Sequence, residues 1–293
     1  YASNDDYHHS TTADILFFPD STTMNTSTFN ISEVISGIEF PEVSNTTTDA
    51  RFLPYKEKLE INMREQLFNF YKNEATFEGN LVMRPTGLTG IGVMLLDKAE
   101  VRSNLFEYNA NWFGSESADL KIFDNLGEVA VTAHNLRTHI DLKMREGIFH
   151  SNDSDDSNFD LFVNQYLCHF DQCIWSMDSE SFVLGNLSES NSIGSKFIST
   201  HPDQESLSFI AKTADYSLKD NIIRANGVEN IVVADAIIYP DSGLITVEKQ
   251  AAMNTLSHAT IELKQFHTFT NVTVDIQSKY DYLASGEYVF RYG

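Results

Sequence analysis

Residues 233–247 read VADAIIYPDSGLITV, and the same short phrase occurs twice earlier, as SADLKIFDNLGEVAV at 117–131 and TADYSLKDNIIRANGV at 213–228. In each copy an Ala-Asp pair (Ala118-Asp119, Ala214-Asp215, Ala234-Asp235) precedes an apolar stretch. A second aspartate follows at the turn (Asp124, Asp220, Asp241), and then a new apolar stretch opens at Leu126, Ile222 or Leu244. Recurrence of a strand-turn-strand phrase is the signature of a repeat architecture, in which each unit completes its core by stacking on its neighbours. The alanine suits a tight inside corner and the aspartate an outward or turn-capping position.

The surrounding sequence has the same texture. From Ala75 onward, short apolar runs such as ATFEGNLVM (75–83), EVAVTAHNL (128–136) and NIVVADAIIY (230–239) alternate with polar residues, and Asn, Asp, Gly and Ser separate them. Period-two spacing between such turn residues predicts strands. The expected fold is therefore all-β: a stack of short strands forming a β-solenoid, closed as a β-helix or open. An antiparallel β-sandwich is the competing arrangement. Three glycines in TGLTGIGVMLL (86–96) read as bends.

Residues 1–74 read as a polar segment that covers or extends this β region, and residues 75–293 as the solenoid itself. The stretch YKEKLEINMREQLFNFYK (55–72) places Leu59, Met63, Leu67 and Phe70 on one helical stripe, yet LEINM also alternates as a strand does. One short helix or a strand is expected there. The opening at Tyr1 and the ending in GEYVFRYG suggest a portion of a longer chain.

The 293 residues are 42% hydrophobic and 12% aromatic, with 21 Phe, 12 Tyr and only 6 Pro, a composition that favours strands in a folded protein. The formal net charge of −22 opposes nucleic acid and anionic lipid as partners. No apolar run has the length of a membrane-spanning helix.

Few residues advertise chemistry. Asp153, Asp155, Asp156 and Asp160 in SNDSDDSNFD are spaced as Ca²⁺ ligands are, although no glycine lets the loop curl and no glutamate closes it. A solvated acidic turn accounts for them better than Ca²⁺ does; no other cofactor is expected. Cys168 and Cys173, about 16 Å apart on a single extended strand, would bond only if the chain turned between them. Cys168-His169 places its side chains on opposite faces, which opposes a thiol–base pair. His8 and His9 with Asp14 form a weak metal candidate. Asp119, Asp124 and Asp141 are the carboxylates that a carbohydrate-active β-helix would need to bring together. Trp112, Trp175, Phe106, Tyr108 and Phe113 suit a packed core better than a glycan platform or lipid-facing wall. Six Asn-X-Ser/Thr sites (Asn25, Asn30, Asn45, Asn152, Asn186, Asn271) compare with roughly four expected by chance.

Several longer phrases carry a resemblance: LFFPDSTTMNTSTFNI (16–31), RPTGLTGIGVMLLDKAEVRSNLFEY (84–108), FVNQYLCHFDQCIWSMDSE (162–180), SKFISTHPDQESLSFIAKTADY (195–216) and VADAIIYPDSGLITVEKQAAM (233–253). With these the chain resembles large, mostly uncharacterised cell-envelope or surface proteins of the Bacteroidetes. More loosely, the Ala-Asp rhythm is similar to the OstA-like repeats of lipopolysaccharide-transport bridge proteins. It departs from them in lacking their usual Gly-Asn-Val, which only NGVENIVV (226–233) approaches. The resemblance implies a location in the periplasm, on the outer-membrane surface or outside the cell. The expected role is non-enzymatic: a scaffold or spacer in a larger protein that docks protein partners. A lipid-shielding conduit and a carbohydrate-active β-helix are the alternatives.

Overall fold

The computed structural model describes residues 39–152, 158–185, 194–263 and 267–286, together with the backbone of short strands within 13–38. The protein is all-β, as its sequence leads one to expect, but its sheets are antiparallel and not closed, so the strands do not build the expected β-solenoid. Among the described residues there is no α-helix, only four three-residue 3₁₀ turns, and every ladder given by a strand register is antiparallel. Two compact units divide the chain: residues 1–122 with 135–147, and residues 123–134 with 148–293.

Unit 1 is a meander. Strands Thr48–Leu53, Lys58–Met63, Ala75–Arg84, Gly87–Leu95, Ala99–Tyr108 and Trp112–Phe123 pair in sequence order. Strand Phe68–Phe70 takes the first residues of Ala75–Arg84 as its partner, and Val43–Asn45 pairs with Phe68–Phe70 in turn. Of the helix or strand expected within 55–72, the strand forms and the helix does not. Lys58–Met63 and Phe68–Phe70 are strands there, with Ile61, Phe68 and Phe70 buried while Leu59, Met63 and Leu67 are only half-buried. The edge of Ala75–Arg84 offers both segments a ladder, and tertiary pairing overrides a helical stripe of similar strength.

Alternate inward residues of these strands build an aromatic core. The Phe70 and Tyr108 ring centroids lie 4.9 Å apart, those of Phe106 and Phe113 5.8 Å, and those of Phe77 and Phe106 6.1 Å. Such edge-to-face and tilted contacts add about 0.5–1.5 kcal/mol each beyond the area they bury. Two glycines stand opposite each other on adjacent strands, Gly79 and Gly92. A Cβ on Gly92 would sit 2.1 Å from the Glu78 carbonyl oxygen, and one on Gly79 2.2 Å from that of Ile91. The pairing of Gly87–Leu95 with Ala99–Tyr108 also slips in register between Gly90 and Gly92, so the glycine-rich phrase serves both a bulge and a close backbone approach.

Unit 2 is made of hairpins that skip one another. Hairpin Asn158–Leu161/Tyr166–His169 pairs with hairpin Ser195–Ser199/Ser208–Ala211, through Tyr166–His169 against Ser195–Ser199. The intervening hairpin Gln172–Ser176/Ser181–Leu184 pairs with Thr213–Ser217/Ile222–Asn226, whose last strand continues to Ile245–Val247. Two ladders thus grow alternately. The inward face of one carries Phe159, Tyr166, Cys168, Phe197 and Phe209; that of the other carries Cys173, Trp175, Phe182, Tyr216 and Ile223, all buried. Phe159 and Phe182 meet edge to face at 5.8 Å across them. Both ladders belong to one large sheet, and a separate five-stranded sheet, Ile231–Val233, Ala236–Tyr239, Leu256–Leu263, His267–Ile276 and Tyr282–Ser285, completes the unit.

The hairpin turns at 162–165, 177–180 and 218–221 share one device. The last residue of each, Gln165, Glu180 or Asn221, has φ near +53° (53°, 53° and 54°). A left-handed residue closing a short turn lets the next strand enter with the correct twist. This is the structural repeat. The Ala-Asp phrase marks it imperfectly: Ala118 and Ala214 are buried in mid-strand rather than at corners, whereas Ala234, with φ of 50°, is exposed within a hairpin turn. Asp119, Asp215 and Asp235 are all exposed.

Candidate functional site

Among the described residues, most of those singled out for chemistry serve the fold. Asp119 Oδ1 accepts from the Asn135 N–H at 3.2 Å, Asp124 Oδ1 from Leu126 and Glu128 at 2.8 and 3.0 Å, and Asp141 Oδ1 from Met144 at 2.8 Å. Asp124 and Asp141 accept from amides of their own turns, as aspartate commonly does, whereas Asp119, in mid-strand Trp112–Phe123, accepts from the strand Val129–Asp141. Phe106, Tyr108, Phe113 and Trp175 are buried in the cores, and Trp112 is half-buried with its ring 4.8 Å from that of His139.

Cys168 and Cys173 do have a chain turn between them, and both are free and fully buried. Burial raises both thiols, and for Cys173 the neighbouring Cys168 raises it further, so neither is a ready thiolate. Asn45, the last residue of strand Val43–Asn45, is also buried. Its Nδ2 donates to the Gln66 carbonyl at 2.7 Å and its Oδ1 accepts from Thr47, so this Asn-X-Thr site is part of the fold.

Asp153, Asp155 and Asp156 lie outside the described residues, as do His8 and His9 and the side chains of Asn25, Asn30 and Asn186. Asp160 is described: it stands half-buried in strand Asn158–Leu161, and desolvation raises its carboxyl above the usual range. Among the described residues, no three His, Cys, Asp or Glu side chains are grouped as a metal ion would need.

Two clefts remain. In unit 1 a cleft of about 550 Å³ is lined by Glu39, Glu42 and Glu74 together with Lys72, Lys143 and Tyr71. Its charges are mixed, and Tyr71 is held by a 2.8 Å bond from its hydroxyl to the Trp112 carbonyl. Burial, with the Asp141 charge added, raises the Tyr71 phenol and keeps it neutral.

The cleft in unit 2, about 540 Å³, is chemically sharper. Lys196, Lys212 and Lys279 rim it, and Glu229 is the one carboxylate among its lining residues. Unit 2 holds 22 Asp and Glu against eight Lys and Arg, so three of its eight cations gather here. The backbone places each of them. Lys196 is the second residue of strand Ser195–Ser199. Lys212 links Ser208–Ala211 to Thr213–Ser217, and its stem lies against Gly227, where a Cβ would come within 2.9 Å. Lys279 sits in a loop tied at both sides: its N–H donates to the Gln204 carbonyl at 3.1 Å, and its carbonyl accepts from Ala234 at 2.9 Å. Ile210 and Val232, 45% and 59% exposed, supply an apolar surface between them. Lys212 reaches Glu229 at only 4.0 Å with both side chains largely in solvent, a pair of little energetic weight.

The three lysines are 16 and 67 residues apart. No spacing rule finds them; only the skip-one pairing and the tethered loop bring them together. No family, no curated protein and no solved structure matches the chain.

Proposed function

We propose that the chain is a non-enzymatic structural segment of a larger cell-envelope or surface protein, a spacer that presents docking surfaces to protein partners. The observation that carries this reading is the skip-one hairpin array of unit 2, with its side chains committed to packing and turns while strand edges stay available. In such an array each hairpin needs its next-but-one neighbour as ladder and the intervening hairpin as facing layer. On this reading the array could be lengthened by further hairpins, although its antiparallel, unclosed sheets are not solenoid rungs. An acidic surface keeps such an array soluble, and an unpaired strand edge is a template for another chain.

The lipid-conduit reading draws support from one place. Ile261, Leu263, Phe269, Val272, Tyr282 and Ala284 line an apolar groove of about 250 Å³ in the C-terminal sheet. The aromatic residues that would form a longer trough are instead enclosed: Phe106, Phe113, Phe159 and Phe182 are each 0% exposed. The carbohydrate-active reading has less, because Asp119, Asp124 and Asp141 are occupied by backbone amides.

Native purification from the source envelope, with cross-linking and mass spectrometry in parallel, tests the proposal. A defined protein cross-linked at stoichiometric yield supports the docking segment. Stoichiometric acyl lipid without a protein partner would replace it with the conduit.

A further inference from the structure

The lysine-rimmed cleft of unit 2 lies where two strand edges come close without pairing. Ile231–Val233 is the terminal strand of its sheet, and its ladder partner is Ala236–Tyr239. Ser208–Ala211 pairs with Ser195–Ser199 and has no second ladder among the described residues. Cα atoms of the two strands approach within 8 Å, and Ser208, Phe209, Ile210 and Val232 from them, with Asn230 just before the second, line the cleft.

An unpaired edge offers a row of backbone donors and acceptors, and an added strand satisfies them while its side chains select by what flanks the edge. Here the flanks are unusual for this protein. Lys196 and Lys279 have no ion-pair partner among the described residues, and Lys212 has only its long contact with Glu229. The Lys279 ammonium instead lies 5.4 Å from the centre of the Tyr280 ring. Clustering these cations raises their repulsion from one another and, close to the cleft, their attraction for an anion, although the rest of this acidic unit repels one at longer range. Exposed Ile210 and Val232 add an apolar requirement that a bare inorganic anion leaves unused.

We propose that this cleft docks an extended acidic peptide segment of a partner protein. The segment adds as a strand along Ile231–Val233, sets its carboxylates against Lys196, Lys212 and Lys279, and covers Ile210 and Val232 with its apolar residues. This rests on the docking-segment reading above and names the chemistry of one partner.

The test is a fluorescence-anisotropy titration of the full chain with a labelled, end-blocked Val-Glu-Val-Glu-Val-Glu peptide. Saturable binding is expected, weakening about ten-fold or more when Lys196→Glu, Lys212→Glu and Lys279→Glu are combined, and weakening with added salt. The same peptide N-methylated at alternate amides loses binding, because strand addition needs its backbone N–H groups. All three lysines are exposed, so the variant keeps the wild-type β circular dichroism; a Lys→Gln version of the triple replaces it if it does not. Two controls use inorganic phosphate and phosphatidylglycerol vesicles.

Equal peptide binding by wild type and triple variant overturns the proposal, as does undiminished binding of the N-methylated peptide. Lysine-dependent binding of phosphate or vesicles with no peptide binding also overturns it, in favour of an anion or lipid-headgroup site. If the peptide fails while the cross-linked partner complex from native material persists, the docking-segment reading stands and this cleft is not its contact.

Discussion

The Asn164 side-chain amide donates to the Asn221 carbonyl oxygen at 2.8 Å, joining two hairpin turns that are 57 residues apart in the chain. The same Nδ2 lies 3.0 Å from the Glu248 carbonyl and 3.3 Å from that of Val247, and the Val163 and Asn164 carbonyls accept from the Gln250 and Ala251 amides. Asn164 is fully buried. Gln204 repeats the arrangement nearby: its Nε2 donates to the Ala251 carbonyl at 2.7 Å while its Oε1 accepts from the Tyr166 hydroxyl at 3.1 Å. The hairpins of unit 2 are therefore fastened at their turns by buried amides as well as along their ladders.

Replacing Asn164 tests that fastening. Asn164→Ala leaves buried carbonyls without a donor and is expected to cost about 2–4 kcal/mol. Asn164→Asp, of nearly the same size, sets carboxylate oxygens against the same carbonyls and is expected to cost more than the alanine change. Urea unfolding midpoints at neutral pH decide; a loss under about 0.5 kcal/mol for both would show that the turns hold without the amide.

Gly92 is expected to tolerate no side chain. Gly92→Ala drives a methyl group into the Glu78 carbonyl and the facing Gly79, so adjacent strands of unit 1 must separate locally. The expected cost is about 2–3 kcal/mol. Gly127→Ala is the control, since nothing lies within 4 Å of its Cβ position, although its φ of 80° carries its own smaller strain. Thermal unfolding of the two variants side by side measures the difference.

The thiols are expected to be silent. Burial raises both Cys168 and Cys173, so at neutral pH a thiol reagent finds neither accessible nor ionised. Labelling by a chromogenic disulfide is expected to follow unfolding, with two equivalents released in denaturant and almost none before it. Rapid native labelling would mean that the core of unit 2 opens far more readily than its burial indicates.

Asp160 makes the protein's stability depend on pH in a definite direction. Its folded-state carboxyl is raised by desolvation above the ordinary value of 3.8, so the folded protein holds that proton more tightly than the unfolded chain. The favourable contribution is present below the unfolded value and is lost as pH rises through the raised one. Asp160→Asn removes the ionisation. The variant is expected to gain on wild type as pH rises from about 3 to neutrality, then to hold a constant advantage. A neutral-pH stability below wild type would show that the carboxylate has a cationic partner, and a Ca²⁺-dependent rise in the wild-type melting temperature, absent in the variant, would identify it.

Much of the architecture could be read from the chain. Alternation in stretches such as ATFEGNLVM and NIVVADAIIY marks strands because one face of each is buried, and the scarcity of proline is consistent with it. The pairing order was not legible. Nothing in the residues of Tyr166–His169 says that their ladder partner starts at Ser195 rather than at Gln172, because both candidates alternate equally well. The turn device was hidden for a related reason: Gln165 and Glu180 adopt a left-handed conformation that glycine or asparagine would have announced. The clamps were hidden as well, since one asparagine in a polar turn is unremarkable until three carbonyls converge on it. Asp119, Asp124 and Asp141 drew notice for chemistry, yet Asp124 and Asp141 cap their own turns and Asp119 bonds across to a neighbouring strand.

The skip-one pairing of hairpins is the central claim, and cross-strand disulfide trapping tests it most directly. Leu167 stands opposite Ile198, and Val183 opposite Asp215, each pair joining hairpins that are not neighbours in sequence. Directly opposed strand residues lie within disulfide reach. Leu167→Cys with Ile198→Cys, and Val183→Cys with Asp215→Cys, are predicted to cross-link in high yield on mild oxidation, with mapping by mass spectrometry of unreduced peptides. Leu167→Cys with Ile174→Cys, which joins consecutive hairpins, is predicted to stay open. Efficient bonding of the consecutive pair, with neither skip-one pair formed, would contradict the architecture on which the docking role is built.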